Sequence, residues 1–305
     1  MKFLFLSFVI LGYSFSYSQE LPLYYGSDFL QAYQDHSLNN SKLKNLLFSI
    51  LSGGHVKNDH SPDIIVANCN SVSQQEISKR PMTQSISVTD SKKCIEHRAL
   101  GYDSARRKMF GHLHLKTLNT GVFSVTDVYC ERKYTDQDFD GSPTFGPDMI
   151  PSSGNIINTE HTWPQSRFTG RFSREMQKSD LHHLFPTDSE MNSRRSSLRF
   201  GVVARELEKL KCPQNHLGQQ AEGGVVFEPP TQHKGNVARA LFYFATRYQM
   251  KISPPEEAYL RKWNIEDPVD AEEFERNNKI ESFQGNRNPF IDFPSLVDRI
   301  DSFNN

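Results

Sequence analysis

Residues 155–201 set the strongest limit on how this chain can fold. They run from NIINTEHTWPQSRF through a basic loop to SDLHHLFPTDSEMNSRRSSLRFG. Glu160 and His161 lie on the first segment. SDLHHLFPTD is a short apolar run that Pro186 closes, and it reads as a strand on which His182 and His183 alternate. Asp188-Ser189 and Glu190 then supply the cap and first turn of a helix that carries Asn192. Strand, return strand and helix in this order bring the end of the first close to the start of the last. Neighbours in a strand point to opposite faces, so Glu160 and His161 can serve one centre only from different sides.

Around this unit the pattern is α+β. Residues 38–51 have helical apolar spacing that stops at Gly53-Gly54, GYDSARRKMFGHL reads as a short amphipathic helix, and GVFSVTDVYC alternates like a strand. The stretch from about 56 to 96 is polar, holds two cysteines and reads as a long insertion pinned by a disulfide. DQDFDGSPTFGPDMIPSSGN and residues 219–230 read as loops. KGNVARALFYFATRYQM is the strongest helix, with Val237, Leu241, Phe244 and Tyr248 on one face, and FQGNRNPFIDFP reads as a fixed turn. No repeat and no clean linker interrupts the chain, which predicts a single domain over 19–305.

Met1-Lys2, the apolar FLFLSFVILGYSF and the small residues of SYSQ have the layout of a secretory leader cleaved after Ser18. The run is shorter than the roughly 20 residues a membrane span needs, so a secreted or periplasmic protein without a membrane anchor is expected. In such an oxidising compartment Cys69, Cys94, Cys130 and Cys212 should form two disulfides, with three pairings open.

The formal net charge of −1 advertises no polyanion partner, but residues 161–205 hold eight cations, seven of them arginine, against four carboxylates. Arginine's planar fork suits phosphate. Glu160 and Asn192 offer two oxygen donors of the kind Mg²⁺ accepts while it keeps several waters. His161 beside them could take the proton of an attacking water. The combination points to metal-assisted hydrolysis of a phosphodiester.

NTEHTWPQSRF, KSDLHHLFPTDSEMNSRRSSLRFG, HKGNVARALFYFATRY and QGNRNPFIDFP together resemble, in order, the four signature blocks of the secreted bacterial endonuclease I family, over about residues 102–300. The resemblance implies a ββα-metal finger core embedded in a mainly helical single domain. It implies that His161 is the general base and that Glu160 and Asn192 hold one catalytic Mg²⁺, with Mn²⁺ or Ca²⁺ able to take the same seat. It also implies sequence-nonspecific cleavage of DNA, and of RNA as well, to 5′-phosphate ends. Arg167, Arg171 and Arg174 are candidates for the arginine that stabilises the transition state, Arg174 being favoured. His182 is expected to brace the site from behind. Arg239 either contacts a phosphate or pairs with a carboxylate. Trp163, Pro164, Asn286, Arg287 and Asn288 are read as shaping turns.

A monomer is expected. Two other classes fit parts of the sequence: a nucleic-acid-binding protein on the same scaffold that no longer cleaves, and a zinc phosphodiesterase or phospholipase using the eleven histidines. Pure binding has no need of the Glu160, His161 and Asn192 set, and no HExxH or similarly tight ligand spacing supports zinc.

Overall fold

The computed structural model describes residues 22–58, 60–71 and 94–304. The expected leader and the middle of the polar insertion lie outside the described residues.

Helix α1 (Ser27–Gln34) is followed by α2 (Asn40–Ser52), which buries Leu43, Leu47, Ile50 and Leu51, the face its spacing predicts. Strand β1 (Gly54–Val56) then pairs antiparallel with β2 (Ile64–Val66) and β3 (Cys94–Glu96). The two ends of the insertion are therefore strands of one sheet, and Cys69–Cys94 pins them. Helix α3 (Tyr102–Lys108) runs into a wider π-type turn over Met109–Leu113. Strands β4 (Leu115–Thr117), β5 (Phe123–Thr126) and β6 (Lys133–Tyr134) form an antiparallel meander.

Next comes the unit that the sequence singled out. Strand β7 (Ile157–His161) pairs antiparallel with β8 (Leu184–Asp188), in register from Ile157↔Asp188 to His161↔Leu184. Between them the basic loop carries helix α4 (Arg174–Lys178), and after them comes α5 (Ser189–Arg195). The Asp188 carboxylate caps α5 by accepting from the amides of Glu190 and Met191, as its sequence suggests.

Two expectations are corrected here. Leu181–His183 is a 3-10 turn rather than strand, because the Asp180 carboxylate accepts from the His182 amide and caps the turn. Pro186 sits within β8 instead of closing it. Its carbonyl accepts from Val128 N, away from β7, so its missing N–H lies on the edge where no ladder bond to β7 is lost.

Strands β9 (Arg199–Phe200), β10 (Arg205–Glu208), β11 (His216–Gln219) and β12 (Val225–Glu228) form a four-stranded sheet of order β10-β11-β12-β9. Residues 219–230 are thus not simply a loop. Gly223 and Gly224, both at positive φ, turn a hairpin whose return strand begins with the β-branched Val225-Val226.

Helix α6 (Lys234–Arg247) is buried on nearly every side, beyond the single face its pattern suggested. It packs against α2, α7 (Pro254–Glu266) and α9 (Pro289–Asp292). Helix α8 (Ala271–Gln284) ends at Gly285, φ +89°, where a Cβ would stand 2.6 Å from Glu96 O. The turn that follows is fixed, as expected. Arg287 forks onto Asp292 at 2.6 and 2.8 Å, and the Asn288 side chain accepts from Phe290 N.

The architecture is α+β, and the β7–β8 hairpin lies between two apolar cores. Trp163 and Met191 belong to the larger core around α6, whereas Ile157 and Leu184 belong to a second with α3 and β5. Among the described residues no helix is long and apolar enough to cross a membrane.

The second disulfide, Cys130–Cys212, closes a separation of 82 residues that contains the whole ββα unit. Replacing both cysteines by serine should cost on the order of 2–5 kcal/mol, read as a lower urea midpoint. An unchanged midpoint would mean that the bridge adds nothing to stability.

Candidate active site

Among the described residues β7 has β8 on one edge only, and no strand pairs with its other edge. The Asn192 side chain from α5 closes part of it, donating from Nδ2 to Asn158 Oδ1 at 2.7 Å and to Thr159 O at 3.1 Å. Thr159 O can only accept, so the amide nitrogen must face the strand and Oδ1 must face away. The Asn192 amide is thereby held at the peptide that joins Thr159 to Glu160.

Glu160 is 1% exposed. Its Oε1 accepts from the Tyr129 hydroxyl at 2.8 Å and lies 3.0 Å from Arg195 Nη1, so both clamps fall on one oxygen of the carboxylate. Burial pushes the carboxyl above its ordinary range, while Arg195, the Tyr129 hydroxyl and the His161 amide pull it back. Arg195 also donates to His161 O at 3.0 Å and Thr162 O at 2.5 Å, with its guanidinium over the Phe200 ring. This buried arginine was counted among the cations but not placed in the site. Its spacing of three from Asn192 on one helix face is the signal that could have found it.

His161 lies at the end of β7. Its Nε2 is 3.1 Å from Lys178 O, an acceptor only, so Nε2 carries the hydrogen and Nδ1 keeps its lone pair, 3.4 Å from Gln165 Nε2. In the same way His183 Nε2 donates to Gln177 O at 2.8 Å. Two successive carbonyls at the end of α4, unpaired within so short a helix, thus orient two imidazoles whose rings stand 5.3 Å apart. Burial, with His183 adding to it, holds the His161 imidazole well below its usual pKa, so it stays neutral near pH 7.

The structure separates the remaining candidates. His182 faces away from His161, its ring 4.4 Å from Tyr243 and its Nε2 3.3 Å from Asn286 O, and His183 is the residue that touches the His161 ring. Arg174 is exposed and lies 5.7 Å above Phe168, which contacts His161 at 6.4 Å between ring centroids. Arg167 donates to Ser197 O and shares a cavity with Arg199 and Glu256. Arg171 lies on the far part of the loop, over Phe172. Arg239 is buried and forks onto Glu273 at 2.6 to 3.0 Å, so of its two readings the carboxylate pair holds. Trp163 packs at 5.4 Å on Phe244, as a turn-shaping residue should.

Glu160 Oε2 and Asn192 Oδ1 are hard oxygen donors, the kind that suits Mg²⁺ with retained waters. Among the described residues no group of three His, Cys, Asp or Glu gathers to hold a metal.

An antiparallel hairpin that ends in a carboxylate and a histidine, followed by a helix returning an amide to the same strand, is a ββα finger. The Endonuclease I family model matches residues 84–295, and the chain belongs to that family. An extracellular ribonuclease of Bacillus amyloliquefaciens is 37% identical over 162 residues, covering 47% of this chain and 53% of its own. One from Bacillus subtilis strain 168 is 36% identical over 170 residues, covering 49% and 56%. An extracellular deoxyribonuclease of Aeromonas hydrophila is 30% identical over 116 residues, covering 38% and 49%. The chain thus matches about half the length of these relatives.

Two outcomes follow from the site's electrostatics. Burial depresses His97, His182 and His233 to about 3 and His183 to about 4. Below the unfolded value near 6.5 the unfolded chain takes up protons that the folded chain refuses, so stability falls as pH falls. With these four together it should drop by roughly 5 kcal/mol per pH unit between about pH 6 and 4, visible as acid unfolding in circular dichroism. Stability that stays level to pH 4 would sink the neutral-histidine assignment. Separately, Arg195→Met leaves Glu160 buried without its cation and should cost about 3–5 kcal/mol. Adding Glu160→Gln should restore much of it, and a double variant no more stable than the single would refute the pairing.

Proposed function

We propose that this protein is a secreted or periplasmic endonuclease that hydrolyses phosphodiester bonds of DNA and RNA without base specificity, leaving 5′-phosphate ends. What carries the reading is the end of β7, where a histidine with a fixed tautomer shares a strand end with the Glu160 carboxylate and with the Asn192 amide, whose oxygen faces away from the strand. Family membership supports it, as do relatives named as nucleases of both polymers. The two disulfides and the extracellular relatives support export; a leader at residues 1–18 would direct it.

His161 Nδ1 accepts the proton of the attacking water while the Lys178 carbonyl stabilises the imidazolium that forms at Nε2–H. Glu160 Oε2 and Asn192 Oδ1 would hold one Mg²⁺, which when bound supplies Lewis-acid stabilisation of the phosphoryl and leaving oxygens. Arg195 keeps Glu160 Oε1 occupied, so that the carboxylate cannot rotate away. Arg174, exposed beside Phe168, is placed to meet charge that builds on the phosphoryl oxygens. Phosphate contacts of this kind carry no sequence information.

Purified protein should nick supercoiled plasmid with Mg²⁺ and stop in EDTA, and His161→Ala should lower the rate by about 10²-fold or more. A folded His161→Ala variant as fast as the parent would end the base assignment. A folded parent that retards plasmid without cutting it would favour the binding-only reading.

A further inference from the structure

The loop that carries Arg171 and Arg174 reaches beyond the hairpin to a second cavity, of about 240 Å³, between α2 and the end of α6. Lys44, Arg171 and Lys251 line it with the side chains of Asn45, Gln249 and Thr246, and among the described residues no carboxylate does. In a chain of net charge −1 such a wall is a local concentration of positive charge. Lys44 Nζ is anchored 3.2 Å from Ser302 O. Burial holds its ammonium below the ordinary range; Glu257 pulls it back up and Lys251 lowers it further, so the two ammonium groups are near enough to repel.

Thr246 gives an independent pointer. It is 2% exposed, yet its Oγ1 is buried without a hydrogen-bond partner. A helical threonine can ordinarily bond back to the carbonyl one turn earlier, and a buried hydroxyl without a partner is costly. Thr246 lines the cavity, and a turn of its side chain about χ1 would let a ligand oxygen there satisfy the hydroxyl. Apart from Phe48 and Ala245, every lining residue can donate a hydrogen bond, and three are cations, the chemistry that recognises a phosphate group.

The loop itself joins this cavity to the candidate active site. The Gln177 side chain, fully buried, donates from Nε2 to Thr169 O at 3.0 Å and Phe172 O at 2.9 Å, which ties the backbone on both sides of Arg171 to the helix whose Lys178 carbonyl orients His161. From this geometry we infer that the cavity walled by Lys44, Arg171, Lys251 and Thr246 is a subsite for a backbone phosphate of the bound polynucleotide, remote from the phosphate cut at His161. The inference rests on the nuclease reading and adds to it a footprint longer than the scissile bond.

The test uses the full chain in the His161→Ala background with EDTA, so that binding is measured without cutting. Arg171→Gln with Lys251→Gln should weaken binding of a single-stranded dodecanucleotide about tenfold and lower the slope of log K against log salt by about 0.7 for one lost phosphate contact. Binding of a trinucleotide should change far less. Thr246→Val, nearly the same shape, should give a smaller loss with the same length dependence. Unchanged dodecanucleotide binding by folded variants, or an equal loss at both lengths, would overturn the subsite. So would variants that lose only thermal stabilisation by inorganic phosphate, since the cavity would then take free anions instead. Failure of the parent to nick plasmid would be a different result, against the nuclease reading itself.

Discussion

The contact between Arg195 and Glu160 organises the end of β7. Both side chains are 2% exposed, so neither charge could be tolerated there alone. A buried pair is weak evidence for net stability, because desolvation cancels much of the attraction. What it does achieve is geometry. One guanidinium holds the Glu160 carboxylate, the His161 carbonyl and the Thr162 carbonyl at once, so the strand's last residues are fixed where the chain turns towards Trp163.

A second buried anion ties this strand end to the rest of the molecule. Asp180 accepts from the hydroxyls of Tyr243 and Tyr248 and from Gln284 Nε2, each at 2.8 Å, as well as from the His182 amide. These groups come from α6 and α8, elements distant in sequence. Burial pushes the carboxyl up, yet it is held well below the ordinary range, the hydrogen bond from Gln284 contributing. The turn at 181–183 and the carbonyls of α4 are thus referenced to the central helix, which explains how a hairpin of two short strands keeps its side chains in register.

Much of this was legible in the sequence because the ββα unit is contiguous. Glu160, His161, the Asp188 cap and Asn192 lie within about one supersecondary unit, and the family resemblance drawn from the four blocks is borne out over 84–295. What escaped depended on long-range partners or on three-dimensional burial. Arg239 meets Glu273, 34 residues on, and the disulfide pairing was one of three equal possibilities until the fold chose it. Strand parity said only that one of His182 and His183 faces the site, the resemblance pointed to His182, and a single capped turn removed the parity. The hairpin at 216–228 was hidden because its glycines mark a turn within strands as readily as a loop between them.

Tyr129, which holds Glu160, belongs to neither the hairpin nor α5. It is adjacent to Cys130, bridged to Cys212, and its carbonyl accepts from Asn215 Nδ2 at 2.7 Å, so the sheet hairpin beyond α5 reaches back to steady it. One of the clamps on the carboxylate therefore depends on thiol chemistry outside the hairpin. A chain with this bridge open would still carry Glu160, His161 and Asn192 on the ββα unit, but Tyr129 would be steadied by hydrogen bonds alone, those to Asp127 and from Asn215 among them. Oxidation of the chain thereby adds a covalent support one residue away from a hydroxyl that fixes the Glu160 carboxylate.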